Sequence, residues 1–181
     1  MIFYMRDESK PYIISLDIEH EGRQIIQVGA IMLQWIGDSV YQICRSLNVY
    51  VDVDFPLSAF VQKYTEITNS VIRDYGVPLS EANALWEEFI GDIPHDDILI
   101  FSHGIFQDID IMDDNGFNIE NFELWDTLNM SKFILERDNH LTLQELAEEG
   151  GFPPIKQHNA YADALTNLML YSYLLKLQGD E

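Results

Sequence analysis

Tyr12-Ile13-Ile14-Ser15-Leu16-Asp17-Ile18-Glu19 sets a run of strand-favouring residues directly before two carboxylates. Residues two apart on a strand point to the same face, so Asp17 and Glu19 can approach one cation together. Beyond them, the loop His20 to Arg23 contains Gly22 and leads into Ile25 to Ile36, an apolar stretch interrupted by Gln27, Gly29 and Gln34. Tyr41 to Val53 repeats the pattern with valines, tyrosines and alternating polar residues. These segments read as three consecutive strands in an antiparallel meander.

The pattern changes near Phe55 and Pro56. Ser80 offers an N-cap to a helix whose Ala82, Leu85, Trp86, Phe89, Ile90 and Ile93 form one apolar face. Ile98-Leu99-Ile100-Phe101 is short and continuously apolar, which suits a strand buried on both faces. A helix is expected from Ile105 to near Asn115-Gly116, a strand around Phe122 to Trp125, and a helix over Thr127 to Glu136. Thr142 and Glu145 form the capping box of a further helix that Gly150-Gly151 ends. The last helix runs from Ala160 to Lys176, with Ala164, Leu165, Leu168, Tyr171 and Leu175 at core-facing spacing. Three strands followed by alternating helices and strands imply an α/β fold, a mixed sheet with helices on its faces.

The chain has 181 residues, a size that fits one domain spanning residues 1–181. It contains no apolar stretch approaching the roughly 18 to 20 residues of a membrane span. Met1 to Lys10 lacks an apolar signal core, so a cytoplasmic location is the default. The single cysteine, Cys44, cannot form an internal disulfide and is expected to be a small core residue. Ten Lys and Arg against 31 Asp and Glu give a formal net charge of -21. Most nucleic-acid binders are basic, so a long polyanion would be repelled by this surface and any affinity for one must be local.

Helical geometry selects among the 31 acids. Consecutive helical residues are about 100° apart, so Asp108 and Asp110 face nearly opposite ways. Asp108 shares a face with Ile105, Ile111 and Met112, and an inward charge needs a partner such as a cation. His158 and Asp163 cannot share one helix face at five residues' separation. They meet if His158 lies in the loop before the final helix, and Pro153-Pro154 favours such a non-helical approach. His20, His95, His103 and His140 read as surface or structural, and Asp126 as a helix start.

In this order and spacing, the segments resemble the DEDDh group of 3'-5' exonucleases, within the DnaQ-like and ribonuclease T superfamily of ribonuclease H-like fold. Leu16-Asp17-Ile18-Glu19 resembles the first motif, and Ile67-Thr68 with Gly76-Val77-Pro78 a middle segment. Ser102-His103-Gly104-Ile105-Phe106-Gln107-Asp108 resembles the second motif, and Leu143 to Gly151 followed by His158 to Ala164 the third. Where the family often has Thr, this chain has Ile18 and His20; Gly104 stands in place of Asn and Gln107 in place of Phe.

The resemblance implies hydrolysis of phosphodiesters from the 3' end of single-stranded or short DNA or RNA, with two divalent cations, Mg²⁺ or Mn²⁺, as cofactors. Asp17, Glu19, Asp108 and Asp163 would be the metal ligands and His158 the general base. The backbone around Ile18 and His20 would lie beside the terminal nucleotide, with Ile18 as an apolar wedge. Lys156, Arg73 and Lys132 are candidate phosphate contacts. Resemblance to some relatives implies a homodimer. A non-catalytic relative and a partner-dependent subunit of a nucleic-acid-processing complex are the alternative readings.

Overall fold

The computed structural model describes residues 2–4, 10–139, 141–152 and 158–179. Strands β2 (Tyr12–Glu21), β3 (Gln24–Gly37) and β4 (Val40–Val51) form the expected antiparallel meander. A tight turn at Gly22, whose φ is +61°, joins the first two, so both strands extend further into the loop than the sequence pattern indicates. Strand β6 (Ile98–Ser102) lies parallel to β2, and β7 (Glu123–Asp126) parallel to β6. Short β1 (Ile2–Tyr4) and β5 (Gly76–Val77) pair with opposite ends of β4. The resulting order is β1-β4-β3-β2-β6-β7.

Alternation along β2 distributes the core between two layers. Ile14, Leu16 and Ile18 point to one side, where Ala82, Trp86, Phe89 and Ile90 of α3 (Leu79–Ile90) and Ile105, Ile111 and Met112 of α4 (Ile105–Asp114) cover the sheet. Ile13 points to the other side, where it joins Ile31, Leu33, Leu99 and Phe101 against Leu168, Tyr171 and Leu175 of α7 (Ala160–Gly179). Helices α5 (Thr127–Ile134) and α6 (Leu143–Glu149) cover the far side of α7, and Leu170 and Leu174 pack with Leu141 and Leu146 there. Helix α7 is therefore buried on two sides. Among the described residues no helix is long and apolar enough to cross a membrane.

Several local expectations are corrected. Ser80 lies inside α3, whose N-cap position is Pro78, and Ile93 lies beyond the helix end. Proline there supplies an extended φ and ψ without a side-chain acceptor. Helices α1 (Ala59–Thr65) and α2 (Asn69–Tyr75) leave little periodic signal, because each has two turns and buries only Val61 and Thr65, or Ile72. Ser58 and Thr68 cap them. Cys44 is exposed rather than core. Met32 pairs with Arg45 and Leu33 with Ile43, so Cys44 is the extra residue of a β-bulge that turns it outward.

Candidate active site

The parallel strands end together, and β2 runs on beyond the last residue that pairs with β6, Ser15. Crevices outside the carboxyl ends of strands are common ligand sites in α/β sheets. Asp17 and Glu19 project there on the α7 side, opposite Gly29 and Gln27 of β3. Both of those β3 residues position the incoming helix. Gln27 is fully buried; its Oε1 accepts from Ala160 N at 3.1 Å and its Nε2 donates to Asn48 Oδ1 at 2.8 Å. At Gly29 a Cβ would lie 2.2 Å from Ala160 C and Tyr161 N, so only glycine lets the start of α7 rest on the strand. Ser15 Oγ adds a bond to Ala164 O at 2.7 Å.

Asn159 organises the first turn of α7. Its Oδ1 accepts from Ala162 N at 3.2 Å, its carbonyl accepts from Asp163 N at 2.8 Å, and its own N–H donates to Asp163 Oδ2 at 3.3 Å. His158, just before, has φ +54°. Ligand atoms of Glu19, His158 and Asp163 all lie within 4.8 Å of one another, a grouping able to hold a metal ion.

Asp108 arrives from the opposite layer. It accepts a hydrogen bond from Ser102 Oγ at the end of β6, while Asp110 faces outward, where Arg23 Nη2 lies 3.0 Å from its Oδ2. Arg23 also pairs with Asp114. The four carboxylates burden one another electrostatically. Burial, then Asp108, Asp163 and Glu19, raise the Asp17 pKa well above its usual value. Burial, then Asp163 and Asp108, push Glu19 up to about 8. Asp108 is raised to about 7 by burial and by Asp126, against the Ser102 hydrogen bond, and Asp163 to about 6 by burial. His158 is lowered by burial, which favours the neutral imidazole. A cluster that resists ionisation in this way is stabilised by a cation, and its all-oxygen carboxylate set suits a hard divalent ion.

Other candidates are placed less centrally. The Ile18 side chain is 6% exposed and packs in the core on the face opposite Asp17 and Glu19, so only its backbone reaches the crevice. His20 Nδ1 lies 2.8 Å from Gly22 O, and its Nε2 lies 3.3 Å from Gln107 Nε2. Two positions where the motifs depart from the family pattern thus contact each other. Lys156 and His140 lie outside the described residues. Arg73 pairs with Asp74, and Lys132 sits on α5. Asp126 caps α5 through Leu128 N and also accepts from Gly104 N. His95 stacks on Phe122, and His103 contacts Leu141 O and Thr127 Oγ1.

Sequence reasoning missed Gln27, Gly29, Ser102 and Tyr64, whose ring stacks on His158. Gln27 and Gly29 stand out in the sequence as interruptions of an apolar strand, within the stretch Ile25 to Ala30 that continues the first motif, but neither signal assigns them a role. Ser102 closes the apolar run of β6 and resembles any strand-terminal serine.

A family model described as "Exonuclease" matches residues 13–171. The chain is 25% identical over 179 residues to the DNA polymerase III PolC-type of Latilactobacillus sakei subsp. sakei (strain 23K), and it spans only 12% of the length of that relative. In fold it is similar to the nuclease domain of 3'hExo, a DEDDh family member bound to rAMP, with a TM-score of 0.73, 13% identity and 94% of each chain covered. It is also similar to E. coli Exonuclease I in complex with a dA16 oligonucleotide, with a TM-score of 0.73 and 15% identity, covering 94% of this chain and 42% of that one. The family match takes in both strand carboxylates, Asp108 and the His158–Asp163 segment, and the chain belongs to the exonuclease family.

Proposed function

We propose that this chain is a metal-dependent 3'-5' exonuclease that removes nucleoside 5'-monophosphates from the 3' end of single-stranded or short DNA or RNA. The observation that carries the reading is the meeting of Asp17, Glu19, Asp108 and Asp163 in one crevice, each with its pKa raised, beside a histidine whose pKa is lowered. Family membership and the rAMP- and dA16-bound neighbours support it.

The four carboxylates are the groups that would hold two divalent cations, Mg²⁺ or Mn²⁺. A set of four carboxylates favours these over zinc. Such ions, when bound, neutralise the phosphate and acidify a coordinated water. His158, neutral near pH 7, accepts the proton of the attacking water as general base. Ligand atoms of Glu19 and Asp163 lie within 4.8 Å of the ring, which places the imidazole beside the carboxylates. Ser102 fixes Asp108, and Asn159 fixes Asp163, so neither carboxylate must reorganise during the reaction.

The charge balance favours short substrates or chain ends. Among the described residues, Lys10, Arg23, Arg73 and Arg137 are paired with carboxylates, and Arg45 donates to Phe89 O and Ile90 O at the end of α3. Among the described residues, that leaves Lys63, Lys132 and Lys176 to follow a long backbone. Digestion of matched 5'-labelled RNA and DNA oligomers with Mg²⁺, Mn²⁺ or chelator tests the function: a ladder shortening from the 3' end with metal alone is expected. Endonucleolytic fragments or metal-independent cutting would refute it.

A further inference from the structure

Helix α1 places an aromatic ladder against the crevice. The ring of Tyr64 stacks on the imidazole of His158 with centroids 3.6 Å apart and planes 28° from parallel. One turn earlier, Phe60 stacks on Tyr64 at 5.5 Å and 12°. Tyr64 is 50% exposed and Phe60 72% exposed, so neither ring serves the core, which α1 meets through Val61. The ladder is anchored to the strand that carries the carboxylates. Ser58 N donates to Glu21 Oε2 at 2.9 Å, Ser58 Oγ accepts from Val61 N at 3.1 Å, and Thr65 Oγ1 donates to Val61 O at 2.9 Å. The imidazole on which Tyr64 stacks has ligand atoms within 4.8 Å of those of Glu19 and Asp163, so the ladder ends beside them.

Among the described residues the His158 imidazole has no hydrogen-bond partner. A histidine acting on a water usually has one ring nitrogen fixed by a hydrogen bond. Among the described residues, the α7 cap fixes the backbone and the face of Tyr64 restricts the ring.

We propose that Tyr64, backed by Phe60, is a positioning residue that holds the His158 imidazole over Glu19 and Asp163 by ring stacking. The inference rests on the exonuclease reading for its kinetic consequence and on the structure alone for its spectroscopic one. An aromatic contact of this kind biases a side-chain population by about two- to tenfold.

The test compares Tyr64→Leu, Tyr64→Phe and Phe60→Leu with the wild type. Steady-state kinetics on a single-stranded oligonucleotide with Mg²⁺ are read beside NMR of protein labelled in the histidine rings, the His158 signal being assigned by its loss in His158→Ala. Tyr64→Leu is expected to lower kcat by about two- to tenfold with KM unchanged, and to remove the ring-current shift of the His158 signal. Tyr64→Phe keeps the ring and is expected to preserve both, and Phe60→Leu to move the signal less than Tyr64→Leu. The proposal is overturned if the His158 signal stays in place in Tyr64→Leu, if Tyr64→Phe is as slow as Tyr64→Leu, or if KM rises with kcat intact, which would make Tyr64 a nucleotide contact. A wild type that cuts no oligonucleotide would remove the functional reading, while the NMR comparison would still decide the stack.

Discussion

Gly29→Ala is the most informative single change. The added methyl would lie 2.2 Å from Ala160 C and Tyr161 N and 2.4 Å from Ala160 O, all backbone atoms of the α7 start. Restoring an ordinary separation of about 3.4 Å requires a displacement of about 1.2 Å, and no side-chain rotation can supply it. Gln27 and Ser15 tie the same helix to the sheet at 3.1 and 2.7 Å, so the displacement also stretches those bonds. Overpacking of this kind costs about 1 to 3 kcal/mol of stability. Because α7 carries Asp163 in its first turn and follows directly from His158, a shift of about 1 Å there should lower kcat/KM by roughly a hundredfold. Urea unfolding and exonuclease kinetics under saturating Mg²⁺ measure the two effects separately. If Gly29→Ala retained wild-type stability and wild-type turnover, the claim that glycine is required for this close approach would be refuted.

Three further outcomes follow from the same geometry. The metal-free carboxyls have folded pKa values above their unfolded ones, about 8 for Glu19, about 7 for Asp108 and about 6 for Asp163, so the folded state holds protons that the unfolded state has released. Stability in chelator should fall as pH rises from about 4 to about 8, and the gain in Tm on adding Mg²⁺ should widen over that window; a chelated protein that becomes more stable toward pH 8 contradicts this. Ser102→Ala removes the donor to Asp108 and should weaken Mg²⁺ affinity or activity by about ten- to a hundredfold, read by calorimetry and kinetics, whereas unchanged values would show the hydroxyl to be incidental. Asp17→Ala should abolish metal-dependent turnover, while His158→Ala should slow it and retain most metal binding, and a pH-rate profile unchanged by His158→Ala would remove that residue from the role of base.

Much of the sheet is legible because its strands carry long, nearly unbroken apolar runs, and the short apolar run Ile98 to Phe101 suits a strand buried on both faces. Helix α4 was legible for a different reason: three buried apolar residues fix its rotation, which in turn separates Asp108 from Asp110. What escaped were features that depend on a partner distant in sequence. Gly29 and Gln27 acquire their meaning from Ala160, more than a hundred positions away, and no local pattern announces such a pairing. Tyr64 escaped because α1 is too short to show a period and because its ring faces the crevice. Cys44 was misplaced because a bulge shifts side-chain alternation by one residue, and composition does not reveal bulges.

The bond from Ser15 to Ala164 spans 149 residues, and it sits beside carboxylates drawn from segments equally far apart. Early-forming parts of such a chain can acquire their hairpins while still being incapable of cutting anything. On the exonuclease reading proposed above, competence arrives only when α7 docks, so a ribosome making this chain would yield no active nuclease before that helix has emerged, and on refolding from urea the return of cleavage should trail the return of circular dichroism.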